Sequence, residues 1–294
     1  QNPYWRYFKH FADYISRVCY MNSQGVPIVD VGLYYPIEEM QGETYIKGIT
    51  KKGRAIDAAF NTILNRLIEN QIDVDMIDGE SLLKAEISDG RLHVGNESFS
   101  VLLLPDAARI CDELLRKLDD FKLLGGKVIY YATQKESVLV SPDEIGNAIS
   151  EAIQPDVCVI KGERSDLYVN HRKIENKDFY FVANSSPIAR ELTLLLRQKG
   201  FASKLSPQNG ESDAVCHRII GNGTLVDLSL DEDEGVWIVI DSENEFQTCV
   251  EERITEEISM TRILVTILAG AALSGIIGYF LIPVLRTIKA GQSI

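Results

Sequence analysis

The sequence predicts a doubly wound α/β domain, then a β-sandwich, then a single C-terminal transmembrane helix. Three observations carry this reading. Strand-like and helix-like apolar patterns alternate from Val26 to Gln154, as a parallel sheet with crossover helices requires. From Pro155 to Asp241 helical periodicity gives way to short apolar runs separated by turn residues, the spacing of packed antiparallel sheets. Residues 263–285 carry no charged side chain, and ~20 apolar residues cross a bilayer core.

At the start, Phe8, Phe11, Tyr14, Ile15, Val18 and Cys19 fall at helical spacing and Gly25 stops the pattern. An isolated helix cannot bury such a stripe, so this one needs something to pack against. "VPIVDVGLYYP" reads as a strand covered on both faces and ended by Pro36. Residues 54–69 set Ile56, Phe60, Ile63, Leu64, Leu67 and Ile68 on one helical stripe. "DVDMID" is a second strand, and "AEISDGRLHVG" is a hairpin turning on Asp89 and Gly90. "SVLLLPD" is another buried strand, residues 108–124 are a helix ended by Gly125 and Gly126, and "KVIYYA" is a further strand. Ser141, Pro142 and Glu144 supply a cap, a first-turn proline and a capping box for the next helix. The sandwich strands are "VCVI", "LYVNHR", "FYFVAN", "LTLLLR", "VCHRII", "TLVDLSL" and "VWIVI". The expected domains are therefore residues 1–24 as a helix, 25–154 as α/β, 155–241 as sandwich, 242–259 as a charged connector and 260–294 as the membrane segment. Arg286 and Lys289 follow the span while the preceding side is acidic, which places the C-terminus in the cytoplasm and the body outside.

Composition narrows the function classes. The chain has 294 residues and a formal charge of −13. Three of its 30 cations (Arg262, Arg286, Lys289) and none of its 43 acids lie from Met260 onward, so the body carries 27 cations against 43 acids, or −16. A phosphate backbone is bound through clustered Lys and Arg, so no nucleic-acid partner is expected. Cys19, Cys111, Cys158, Cys216 and Cys249 are odd in number and lack CxxC spacing, which argues against a disulfide framework or a zinc site. They read as small core hydrophobes. The chain opens at Gln1 without a Met or an apolar leader, as a processed protein or a fragment would.

No catalytic, cofactor-binding or metal-ligating residue is assigned from the sequence. Ligands of open α/β sheets sit at the carboxyl ends of the strands, which here means Tyr34, Tyr35, Pro36, Asp78, Pro105, Asp106, Ala132 and Thr133. A nucleophilic Cys111 would need a sharp strand-to-helix turn and a histidine, and it reads instead as lying inside the helix after "VLLLPDA". GxSxG, Walker and HExxH patterns are missing from the sequence. "GNGTLV" lies between β runs and reads as a hairpin turn, and Asp231, Glu232, Asp233 and Glu234 as a solvated turn rather than a calcium loop. His171 and Arg172 read as a strand-end pair with a structural hydrogen bond. Asn96, Asn184 and Asn222 begin glycosylation triplets.

Four stretches in order, "NPYWRYFKHFADYISRVCYMNSQGVPIVDVGLYYP", "DVDMIDGESLLKAEISDGRLHVGNESFSVLLLPDA", "NHRKIENKDFYFVANSS" and "GTLVDLSLDEDEGVWIVID", resemble glycoside hydrolase family 106, the α-L-rhamnosidases. The resemblance covers residues 2–241. It implies that residues 1–24 end a catalytic (β/α) barrel missing from this chain. By the same resemblance 25–154 are a flavodoxin/glutaminase-like accessory domain and the sandwich follows it. It implies partners in that barrel and in a rhamnose-containing glycan, with calcium in the missing catalytic domain and no cofactor in this chain. Catalysis by a carboxylate pair would sit in the barrel, so Asp13, Asp30, Asp75 and Asp78 are read as a helix surface, a strand end and turn positions. Residues 260–294 resemble the amino terminus of phospho-N-acetylmuramoyl-pentapeptide transferase, implying a join between two reading frames and a membrane contact through 263–285. The expectation is an accessory region of a bacterial, extracytoplasmic glycoside hydrolase. The alternative is a membrane-tethered carbohydrate-binding or structural module.

Overall fold

The structure, a computed structural model, describes residues 3–105, 110–131, 139–140 and 144–243. Its α/β part is built on five parallel strands in the spatial order Leu139–Val140, Lys127–Tyr131, Val101–Leu104, Val31–Tyr34, Val74–Ile77. In chain order this is 2-1-3-4-5, so the topological switch lies between Val31–Tyr34 and Val101–Leu104. Both of those strands are buried at all four positions, because helices cover both faces.

Period-two alternation divides their side chains cleanly. Val31, Leu33, Val101, Leu103 and Ile129 face Phe60, Ile63 and Leu67 of the helix Lys51–Glu69. Tyr34, Leu102, Leu104 and Val128 face Leu114, Leu118 and Phe121 of the helix Asp112–Leu123. Thr50 begins the first of these helices, its hydroxyl accepting from the Gly53 amide at 3.1 Å. The predicted hairpin is present as Glu86–Ser88 and Arg91–Val94, with Asp89 at φ 50° and Gly90 at φ 72° making the primed turn. A third strand, Glu97–Phe99, extends it. This strand was not foreseen, since its alternation lasts only three residues.

Two sheets make the sandwich. The larger has the order Val26–Pro27, Leu167–Ile174, Lys177–Asn184, Gly235–Asp241, Phe201–Leu205, Ser212–Ala214, and the smaller Val157–Lys161, Arg190–Leu196, Gly223–Leu230, His217–Ile220. Leu192, Leu194, Leu196, Val226, Leu228 and Leu230 of one sheet meet Tyr180, Val182, Val236, Ile238 and Ile240 of the other. Phe201–Leu205 and Ser212–Ala214 escaped the sequence reading because polar residues interrupt them. The run read as one strand from Val26 is two elements. Val26–Pro27 pairs antiparallel with Lys173 and Arg172 in the sandwich, and only Val31–Tyr34 joins the parallel sheet. Gly25 permits this junction: its φ is 61°, and a Cβ there would stand 2.1 Å from the Lys173 carbonyl oxygen.

The helix Phe8–Ser23, entered through the 3₁₀ turn Pro3–Tyr7, is tied to the larger sheet by hydrogen bonds at two margins. At one margin Arg172 Nε donates to the Gln24 carbonyl at 2.7 Å. At the other, Arg17 Nη1 donates to the carbonyls of Pro207 and Gln208 at 3.0 and 2.8 Å. Trp237 points away from the sandwich core and is nevertheless buried, as a side chain under this helix would be.

One expectation is corrected. Among the described residues no helix is long and apolar enough to cross a membrane. The fold class of the described residues is accordingly mixed α/β and β-sandwich, mostly strand, with no transmembrane helix among them. The span expected at residues 263–285 lies outside the described residues, as do the connector from residue 244 onward, Cys249 and the capping residues Ser141 and Pro142.

Candidate functional site

At the carboxyl ends of the parallel strands the sequence-predicted positions are occupied by structural contacts. Tyr34 is buried and its hydroxyl is pushed up to about 12, first by burial and then by the charges of Glu38, Cys111 and Glu39. Tyr35 packs edge-on against Phe60 at 5.3 Å. Asp78 caps the helix Gly79–Lys84, accepting from the Ser81 amide at 2.7 Å. Asp106, Ala132 and Thr133 lie outside the described residues. Cys111 is placed one residue before the helix Asp112–Leu123, as its extended cap, rather than inside it. Among the described residues no hydrogen bond joins it to a histidine. The reading of the cysteines as core hydrophobes is also corrected, since Cys19 and Cys111 are exposed.

The remaining motifs resolve locally. Asn184 is buried and donates to the carbonyls of Ile188 and Asp231 at 2.9 and 2.8 Å, so its triplet is a loop brace, whereas Asn96 and Asn222 sit on exposed turns. "GNGTLV" is the hairpin turn between His217–Ile220 and Gly223–Leu230. Glu234 closes the acidic turn on the Asp231 amide at 2.8 Å and pairs with Lys204 at 3.2 Å. Among the described residues no group of three or more His, Cys, Asp or Glu is arranged to hold a metal ion.

Of the four aspartates singled out in the sequence, Asp13 pairs with Lys9 on the helix surface at 2.5 Å. Asp75 shares a hydrogen bond with Glu97, whose carboxyl is raised by burial and then by the Asp75 charge. Carboxyls in direct contact leave no room for the sugar and water that a glycosidase pair must flank.

Asp30 is different. It is buried where the α/β part meets the sandwich, with Arg91 on one oxygen at 2.6 Å and Arg197 on the other at 2.5 Å. Arg197 reaches on to Asp156 at 2.8 Å. Asp156 meets Nδ1 of His171 at 2.9 Å, and Asp178 meets Nε2 at 2.9 Å. Tyr180 stacks on the imidazole, with ring centroids 4.0 Å apart and planes 15° from parallel. Beside the chain of charges, Asp73 accepts from the amides of His171 and Val74 at 3.3 and 3.0 Å. Burial opposes the charge on Asp30, but the hydrogen bonds and charges of Arg197 and Arg91 outweigh it and hold the carboxyl below its usual range. Burial likewise opposes charge on His171 and is outweighed by Asp156 and Asp178, which raise the imidazole above its ordinary value. Asp73 has no such compensation, and burial pushes it up to about 6. Sequence reasoning placed His171 at a strand end; it stands inside one, 1% exposed. A signal was available. A two-residue loop at Glu175 and Asn176 sets His171 opposite Tyr180 and puts Asp178 on the same face as its diagonal neighbour.

A second feature is the outer face of the N-terminal helix. Tyr4, Trp5, Tyr7, Phe8 and Phe11 are between 49% and 75% exposed, and the helix has no buried residue. Trp5 and Phe8 stack at 5.2 Å, with Phe8 and Phe11 at 6.0 Å. Three rings in series with two further exposed tyrosines nearby in sequence form a patch of the kind that marks an interaction surface.

No protein-family model matches the chain. A protein of Formosa agariphila named "Putative beta-glucuronidase" is 26% identical over 266 residues, covering 81% of this chain and 21% of that protein. In structure the chain is similar to a rhamnosidase from Novosphingobium sp. PP1Y, with a TM-score of 0.60 and 17% identity over 79% of this chain and 24% of that one. It is also similar to alpha-L-fucosidase isoenzyme 2 from Paenibacillus thiaminolyticus, with a TM-score of 0.52 and 12% identity over 79% and 51% of the two chains. The chain thus spans about a fifth of the length of the curated relative, and its likeness to the two solved structures is one of fold.

Proposed function

We propose that this chain is the accessory α/β and β-sandwich region of an extracytoplasmic α-L-rhamnosidase-like glycoside hydrolase of family 106. In this reading the enzyme acts on rhamnose-containing glycans, and its catalytic barrel and calcium lie outside these residues. The barrel docks on the aromatic outer face of the helix Phe8–Ser23. That face is the observation that carries the reading. Tyr4, Trp5, Tyr7, Phe8 and Phe11 stand in water here, and burying aromatic side chains of this size is worth roughly 1.5–3 kcal/mol each. The architecture shared with the rhamnosidase and the resemblance of residues 2–241 to the family support the same reading. Within the described residues, Asp156 and Asp178 face each other, but the His171 ring fills the space between them. This agrees with a reaction centre located elsewhere.

The test compares this chain, a separately produced catalytic domain and the two together on an aryl α-L-rhamnoside. This chain alone is expected to give no turnover, and mixing is expected to raise the catalytic domain's Tm through association. Turnover by this chain alone, or a mixture that neither associates nor changes in stability, overturns the proposal.

A further inference from the structure

The ionic chain between the two domains has a chemical requirement that its geometry makes explicit. An ionised carboxylate only accepts hydrogen bonds. Asp156 and Asp178 each place an oxygen 2.9 Å from a different nitrogen of the same imidazole, so with both carboxylates ionised both nitrogens carry a proton. With His171 as imidazolium, Asp30, Asp156 and Asp178 are balanced by Arg91, Arg197 and His171, leaving only Asp73 beside them without a cation. With the neutral ring, one carboxylate faces a bare nitrogen lone pair inside a joint where His171 is 1% exposed and Asp178 4%.

The row also crosses the seam. Asp30, Asp73 and Arg91 come from the α/β side, and Asp156, His171, Asp178, Tyr180 and Arg197 from the sandwich. Amide hydrogen bonds follow the same line: the Ile28 amide donates to the His171 carbonyl at 2.9 Å, and the His171 amide to the Asp73 carboxylate at 3.3 Å.

We propose that this row is a proton-operated clamp between the α/β domain and the β-sandwich, closed while His171 is doubly protonated and loosened when the ring loses one proton. The device belongs to this chain and does not depend on which sugar the whole enzyme cleaves. Its direction follows from linkage. His171 has its proton affinity raised by folding, so its contribution is complete below the unfolded value of 6.5 and is lost as pH rises through the higher folded value. Asp73, raised to about 6, also binds its proton more tightly when folded, so its carboxylate costs stability as pH rises from 3.8 through about 6. Both groups loosen the seam on going alkaline.

The experiment uses the full chain with ¹⁵N-labelled histidine. Ring-nitrogen shifts across pH 5–9 report the protonation of His171, and hydrogen exchange at the Ile28 and His171 amides, corrected for intrinsic rate and compared with the Trp237 amide, reports the seam. The expected result is an imidazolium that titrates above 6.5, with protection at the seam amides falling at least tenfold through that titration while Trp237 is unchanged. Asp178→Asn should lower the titration and shift the loss of protection with it. His171→Gln should abolish the loss of protection above pH 6.5 and leave only the part that follows Asp73 near 6. Titration at or below 6.5, or seam protection that does not change with the ring's charge, overturns the proposal. Should His171→Gln fail to fold, the ring titration and Asp178→Asn decide the question alone.

Discussion

Asp30 shows how far one side chain's meaning depends on partners distant in sequence. Its carboxylate binds Arg91, 61 residues later, and Arg197, 167 residues later. Removing one partner of a buried pair leaves a charge without compensation, which costs about 3–5 kcal/mol. Arg197→Met should therefore lower the urea unfolding free energy by about 3 kcal/mol at neutral pH. Asp30→Asn in the same background should return part of that loss, because it removes a buried carboxylate left with Arg91 alone. The sequence marked Asp30 only as a strand end, since no local pattern couples an aspartate to arginines in two later elements. His171 and Asp178 were closer to legible, as neighbours on one hairpin face. That their partner Asp156 precedes the same sandwich by a different route was not.

For the elements, the regular ones were the readable ones. The stripe Ile56, Phe60, Ile63 and Leu67 and the buried run from Val101 to Leu104 appear in the structure as the sequence placed them, because a two-sided core dictates both patterns. Leu103 is fully buried between the sheet and the helix Lys51–Glu69. Leu103→Ala should cost about 2–5 kcal/mol in chemical denaturation. Thr50→Ala should cost about 1 kcal/mol, since it frees the Gly53 amide at the start of the same helix. Gly126→Ala should destabilise by about 1–3 kcal/mol, because the new methyl would stand 1.9 Å from the Phe121 ring. The short strands Glu97–Phe99, Phe201–Leu205 and Ser212–Ala214 were missed for one reason. Each is fixed by pairing with a longer neighbour rather than by an alternation of its own.

At the scale of the molecule, the helix Phe8–Ser23 joins the two halves of the argument. Its inner side is tied to the sandwich through Arg17, and its outer side leaves Phe8 and Phe11 exposed beside Tyr4, Trp5 and Tyr7 of the preceding turn. Because Trp5, Phe8 and Phe11 contribute little to this chain's own core, Trp5→Ser/Phe8→Ser/Phe11→Ser should leave Tm within about 2 °C, as surface changes of under 0.5 kcal/mol do. The same triple variant should remove association with the catalytic domain and reduce binding of a hydrophobic dye. A large fall in Tm would place these rings in the chain's own fold instead. The seam points to one pH response: unfolding stability measured by denaturant should decline from pH 6 to pH 9, and in His171→Gln only the smaller decline from Asp73 near pH 6 should remain.

By itself the sequence determined the layered α/β domain, the sandwich and the unsatisfied apolar stripe of the first helix, because period and burial are properties of contiguous residues. It also raised a membrane helix that no described residue supplies. Only the tertiary structure decided that Asp30, Arg91, Asp156, His171, Asp178 and Arg197 form one charge-balanced row, and that Val26–Pro27 belongs to the sandwich. Those outcomes depend on which surfaces meet after folding. Electrostatic pairing acts over a few ångströms in space and leaves no periodic trace along the chain.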